Sequence, residues 1–216
     1  MKNKEYLFQE KFYNNKSGLN EYRLYSFIST LFNNIGILDI GTYKGNSAIA
    51  LSHNPNNYVY SYDIKNHINL SVDANEIVDG NKKKAFHKIF SKKNIEFRIK
   101  NVLDDLNEEF IGPNAVKSNI KIIMIDIDHL KTEEEKILNR LEELKFSGII
   151  ILDDIHHPWE RENICMQELW DNIKYEKYDL TSLGHYSGTG IFFMNYEESN
   201  KITNADKLKL ELREKF

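Results

Sequence analysis

The chain of 216 residues contains one cysteine, Cys165, three prolines and ten glycines. A lone cysteine excludes an intrachain disulfide framework and a cysteine-based zinc site, and it agrees with a reducing compartment. No apolar run approaches the roughly 20 residues that a membrane-spanning helix needs. The opening Met-Lys-Asn-Lys-Glu-Tyr lacks the apolar stretch of a signal peptide. Cationic charge is not in excess: Lys+Arg is 29 against Asp+Glu 33, a net charge of -4. Nonspecific nucleic-acid binding runs on surplus positive charge, so it is excluded as a primary role. The expectation is a soluble, cytoplasmic protein with neither a nucleic-acid nor a membrane partner. Because glycine is scarce, each place where it clusters is informative.

What is present is a globular composition, 41% hydrophobic and 29% charged. The length is about one and a half times a typical domain of ~150 residues. The expected division is an N-terminal helical segment over 1–34, a core domain over 35–196 and a charged tail over 197–216. The first segment is read as a lid or a homodimer contact. Helical spacing over 20–32 places a helix there. Apolar runs at 35–40, 58–63, 95–99, 120–125 and 149–152 predict five strands, and 175–180 and 190–194 predict two more. The first run leads through Gly41 into a helical pattern over 47–52. A basic helix is expected over 82–93, and an amphipathic one over 132–144, ended by Gly148. Strands that are apolar throughout and alternate with helices indicate an α/β fold with a parallel sheet covered on both faces.

In such sheets ligands bind beyond the carboxyl ends of the strands. Four of the five strand ends carry acids: Asp39, Asp63, Asp126 and the pair Asp153-Asp154. Gly41 and Gly45 let the first turn approach a ligand closely, and Asp63 can accept both hydroxyls of a ribose. An adenosine ligand follows, either a dinucleotide or S-adenosylmethionine. Asp126, Asp153 and Asp154 end adjacent strands, so their repulsion calls for a cation, and oxygen donors suit Mg²⁺, Ca²⁺ or Mn²⁺. His129, three residues beyond Asp126, has the acidity of a general base.

Two motifs carry a resemblance. Ile37-Leu38-Asp39-Ile40-Gly41-Thr42-Tyr43-Lys44-Gly45-Asn46-Ser47 resembles motif I of class I S-adenosylmethionine-dependent methyltransferases. Ile125-Asp126-Ile127-Asp128-His129 and the later Gly148-Ile149-Ile150-Ile151-Leu152-Asp153-Asp154 are similar to the paired late motifs of their cation-dependent small-molecule O-methyltransferases, the macrocin- and catechol-type enzymes. The resemblance implies a Rossmann-like, seven-stranded methyltransferase sheet, mostly parallel with an antiparallel last strand, and helices on both faces. It implies that Gly41, Thr42, Tyr43, Gly45 and Ser47 surround the methionine part of S-adenosylmethionine, with Asp39 supporting the loop. It puts Asp63 on the ribose and Asn101, Val102 and Leu103 beside the adenine, where many relatives have Gly-Asp-Ala. Asp126, at the cofactor's edge, joins Asp153 and Asp154 as ligands to Mg²⁺ or another hard divalent cation. His129 takes the base position.

The function so implied is transfer of a methyl group to a hydroxyl of a small molecule, such as a sugar, another polyol or a phenol. A nicotinamide-dependent oxidoreductase is the competing reading, and a non-methylating relative using the same metal site is a third. His156 and His157 are read as neighbours of the metal site or parts of a substrate loop, and Trp159 as a ring that could cover a substrate. His185 and Tyr186 are read as structural, within reach of the pocket rim. Cys165 is read as core.

Overall fold

Four of five consecutive apolar strands carry acids at their carboxyl ends, Asp39, Asp63, Asp126 and Asp153-Asp154. The computed structural model describes residues 21–43, 45–65, 94–112, 115, 118–129, 131–156, 166–196 and 204–215. The expected helix over 82–93, the loops over 66–80 and 157–162, Trp159 and Cys165 lie outside them. The strands are β1 (Gly36–Ile40), β2 (Tyr58–Asp63), β3 (Ile95–Ile99), β4 (Ile120–Ile125), β5 (Gly148–Asp153), β6 (Lys177–Asp179) and β7 (Thr189–Met194). They form one seven-stranded sheet in the order β3-β2-β1-β4-β5-β7-β6. β1 to β5 pair in parallel, and β7 inserts antiparallel between β5 and β6. This is the Rossmann-like sheet that the late motifs imply. The antiparallel insertion separates it from the all-parallel 3-2-1-4-5-6 sheet of dinucleotide-binding folds.

Alternate residues of the central strands feed two cores, as the period-2 pleat requires. On one face Leu38, Ile123, Ile150 and Phe192 pack with α3 (Thr132–Glu143) and α4 (Met166–Asn172). On the other Ile37, Ile122, Met124, Ile151 and Phe193 pack with α1 (Glu21–Thr30), α2 (Asn46–Leu51) and α5 (Asn204–Lys215). Both faces are therefore covered by helices, which explains strands without polar alternation.

The structure adds contacts in both flanking segments and moves one helix end. The described part of segment 1–34 is built into the core: Leu24, Tyr25 and Ile28 of α1 are buried. Ser26 and Ser29 donate to the carbonyls of Ala50 and Leu51 on α2. Within the segment read as a charged tail, α5 buries Ala205, Leu208 and Leu212. Their spacing of three and four is helical, and charged side chains surround them. Lys209 is also buried, its ammonium 4.9 Å from the centre of the Phe193 ring and 2.9 Å from Glu176. α3 ends at Glu143, before Gly148, and Lys145 turns the chain with φ 52. Gly148 instead belongs to β5, where a Cβ would meet the Lys121 carbonyl at 2.6 Å. Among the described residues no helix is long and apolar enough to cross a membrane.

Candidate active site

A cavity of about 710 Å³ opens at the carboxyl ends of β1, β2 and β4. Gly41, Tyr43, Asp63, Asn101, Val102, Leu103, Asp126 and His129 line it. Eight residues singled out from sequence therefore share one space. Asp39, Thr42, Gly45 and Ser47 are buried and do not line it; the first two instead brace the turn that does. Ser61 donates to the Asp39 carboxylate at 2.5 Å and shares a second short hydroxyl contact, also 2.5 Å, with Thr42. Burial pushes the Asp39 carboxyl up to about 6, against the pull of the Ser61 hydroxyl. A larger cavity, about 870 Å³, lies at the opposite end of the strands beside Gly36, Tyr58 and Lys121 and includes none of these residues.

The turn after β1 is set by Gly41, which has φ 101. A Cβ there would stand 1.6 Å from the Asp126 carbonyl, so the close approach of β1 and β4 requires glycine. The Gly41 and Thr42 amides both donate to the Tyr62 carbonyl, tying the turn to β2. Tyr43 follows at φ 42, and its amide donates to Asp63 at 2.8 Å. Asp63 is thereby fixed on the cavity wall. On the facing wall, Asn101 accepts the Leu103 amide at 3.0 Å and caps the 3₁₀ turn Val102–Asp104. The departure from Gly-Asp-Ala thus serves the local turn with its side-chain oxygen.

The late acids are arranged around two histidines. His129 Nδ1 lies 3.1 Å from Asp154 and Nε2 lies 3.8 Å from Asp126. His185 Nδ1 lies 3.2 Å from Asp154 and 3.5 Å from Asp153, with Nε2 3.8 Å from Glu21. The ligand atoms of Asp126, His129 and Asp154 lie within 4.8 Å of one another, as do those of Glu21, Asp153 and His185. The three strand-end carboxylates are thus shared between two groups, each holding an imidazole. Both His129 (φ 59) and Asp154 (φ 58) have left-handed backbones, a strain that surrounding contacts must hold.

The electrostatics follow from crowding. Burial and the nearby Asp153 and Asp154 carboxylates push Asp126 well up. Burial also raises Asp154, but hydrogen bonds from His185 and Ser187 outweigh it and hold this carboxyl low. Those bonds to Asp153 and Asp154 push the His185 imidazole up to about 11. His185, read from sequence as structural, therefore sits against the acids that the late motif supplies. Glu21 and Tyr25 from α1 and Glu134 from α3 also border the site, and the sequence reading assigned none of them. Their only signal is position on a helix face, which shows what is buried but not what it is buried against. His156, by contrast, turns to Asp179 at 2.6 Å.

No family model matches the chain, and no curated protein matches it. Solved structures do share its fold. A Staphylococcus aureus protein provisionally assigned as a caffeoyl-CoA O-methyltransferase is 17% identical, with TM-score 0.54, covering 89% of this chain and 92% of that one. The Bacillus cereus O-methyltransferase solved with S-adenosylhomocysteine is 16% identical, with TM-score 0.52 and 80% and 79% covered. The O-methyltransferase TomG of Streptomyces achromogenes, solved with S-adenosylmethionine, is 13% identical, with TM-score 0.52 and 80% and 78% covered. The chain has the fold of the class I S-adenosylmethionine-dependent O-methyltransferases.

Proposed function

We propose that this chain is an S-adenosylmethionine-dependent O-methyltransferase that methylates a hydroxyl of a small molecule, a sugar, another polyol or a phenol, in the cytoplasm. One observation carries the reading: the Gly41 turn, Asp63 and His129 line the same cavity. The first two suit an adenosine-bearing donor, and the third suits proton removal from its acceptor. That fold neighbours were crystallised with S-adenosylmethionine or S-adenosylhomocysteine supports the choice of donor. The antiparallel β7 weighs against the nicotinamide alternative.

Asp63 would receive the ribose hydroxyls, and Val102 and Leu103 would pack against the adenine. With Nδ1–H directed at Asp154, His129 would keep Nε2 basic and take the acceptor's proton there. The acceptor oxygen then bonds to the methyl carbon as the carbon–sulfur bond breaks, and the donor leaves as its thioether. Orientation of the two reactants supplies most of the rate gain. The donor set of carboxylates and imidazoles fits a divalent cation, Mg²⁺ on the sequence reading, with Asp126, Asp153 and Asp154 as the acids to hold it. Such an ion lowers the pKa of a bound hydroxyl.

Thermal shift with S-adenosylmethionine, S-adenosylhomocysteine and NAD is the direct test. The expected result is stabilisation by the first two, as ligand binding to the folded state requires. Stabilisation by NAD alone would overturn the proposal. Methyl transfer to hydroxylated acceptors, lost in His129→Ala with S-adenosylhomocysteine binding retained, would support the base.

A further inference from the structure

Glu21 and Tyr25 stand four residues apart on α1 and so share a helix face. That face is buried at the rear of the strand-end acids, where Glu21 is 8% exposed, Asp153 5% and Tyr25 1%. The ligand atoms of Glu21, Asp153 and His185 lie within 4.8 Å of one another. His185 Nδ1 stands 3.5 Å from Asp153 and Nε2 3.8 Å from Glu21, and only one of the two nitrogens can serve a given ion. Donors about 2.1 Å from a common ion stand roughly 3 to 3.5 Å apart, so closure by about 1 to 1.5 Å would bring one donor from each of the three residues onto a common ion, with water filling the remaining positions.

A separate observation points to a missing partner. The Tyr25 hydroxyl is fully buried and makes no hydrogen bond of ordinary geometry among the described residues, with Thr189 the neighbouring hydroxyl. The charges around it are those of Asp153, Glu21 and Asp126. Buried hydroxyls are nearly always bonded, so an unbonded one facing a group of ligand-type side chains marks a place for a further atom. A metal-bound water or hydroxide would meet it. An imidazolium at His185 offsets some of the negative charge without any ion, but it leaves Tyr25 unsatisfied. It also leaves four acids, Glu21, Asp126, Asp153 and Asp154, facing two histidines.

We propose that Glu21, Asp153 and His185 form a site for a first-row transition-metal dication, filled by Mn²⁺ or Fe²⁺ in preference to Mg²⁺. The imidazole nitrogen makes that choice, since carboxylates alone suit Mg²⁺ whereas added imidazole favours the later ions. The proposal deepens the cation part of the reading above by naming the ion class and two ligands outside the late motif. It gives α1 a role beyond packing, since the helix carries a ligand into the cleft.

Titration of the full chain with Mn²⁺, followed by the electron paramagnetic resonance of the free ion, tests the site. Mg²⁺ serves as competitor. Wild type should bind Mn²⁺ at least about tenfold more tightly than Mg²⁺. Glu21→Gln and His185→Ala should each weaken Mn²⁺ binding about tenfold or more, in line with loss of one ligand. His129→Ala should leave it within a few-fold. Tyr25→Phe should match or exceed wild-type stability without metal, and still bind Mn²⁺ more weakly. Circular dichroism establishes that each variant is folded. The proposal is overturned if wild type binds no Mn²⁺, if Mg²⁺ competes equally, or if His129→Ala alone loses the ion. S-adenosylhomocysteine binding, measured in parallel, separates failure of the ion site from failure of the methyl-transfer reading.

Discussion

The Glu134 carboxylate accepts the backbone N–H of His129 at 3.0 Å, from a position only 1% exposed. Glu134 lies in the first turn of α3, where a negative charge is favoured by the helix dipole. Burial nevertheless pushes its carboxyl up to about 7. The contact pins a residue whose own backbone is left-handed, and it orients the imidazole against Asp154. If His129 is the base, as proposed, Glu134 is a positioning residue for it. Glu134→Ala should lower kcat about tenfold, at the low end of a general-base contribution, while the Kd for S-adenosylhomocysteine stays within a few-fold. Glu134→Gln retains an acceptor and should recover most of kcat. Equal losses in both variants would show that the charge, not the anchoring, matters.

Gly41→Ala tests the closest approach in the site. The new methyl would meet the Asp126 carbonyl at 1.6 Å, and alanine is strained at φ 101. Backbone must shift, since a carbonyl of a central strand is not a flexible side chain. A destabilisation of about 2–4 kcal/mol is expected from overpacking and strain together. Urea unfolding monitored by circular dichroism measures it, and a change under about 0.5 kcal/mol would contradict the close packing of β1 on β4.

These positions differ in how well the sequence announces them. Gly41 stands between an apolar run and a helical pattern, in a chain with few glycines, so its turn is legible. Asp63, Asp126 and the pair Asp153-Asp154 stand where apolar runs stop, and topology alone brings such ends together. Glu21, Tyr25 and His185 have no such marker. They come from α1 and from the loop before β7, and only the packing of α1 on the sheet puts them beside Asp153. α5 was hidden differently. Its buried apolar residues are three among many charges, and Lys209 is buried because Phe193, Tyr196 and Glu176 surround its ammonium.

Asp63→Ala separates ligand binding from folding. Asp63 accepts the amides of Tyr43 and Lys65 at 2.8 and 2.9 Å, contacts at the surface that cost little to lose. On the proposed donor site, removing a charged acceptor for two ribose hydroxyls should weaken S-adenosylhomocysteine binding by about tenfold to a hundredfold, from roughly 1.5–3 kcal/mol. Calorimetry gives the affinity, and a thermal melt without ligand should move by less than about 3 °C, the equivalent of about 1 kcal/mol at this chain length. Unchanged affinity would remove Asp63 from the donor site.

Acid should loosen α5. Glu176, just before β6, is bonded by Arg213 and Lys209 of α5 and by Tyr178. The Arg213 guanidinium first, and then the Tyr178 and Lys209 bonds against a cost of burial, hold its carboxyl down to about 2. A carboxyl lowered in the folded state contributes stability that is complete above its unfolded pKa, near 4.5. That contribution is lost as pH falls from about 4.5 towards 2. Glu176→Gln lacks the charge at every pH, so it should melt about 2–4 °C below wild type at pH 7. Most of the gap should be gone by pH 2.5, apart from the acid response that both share. Salt should narrow the gap at pH 7, because Arg213 is solvent-exposed and its pairing with Glu176 is screened. A constant gap from pH 7 to 2.5 would mean that Glu176 holds α5 through its shape and not through its charge.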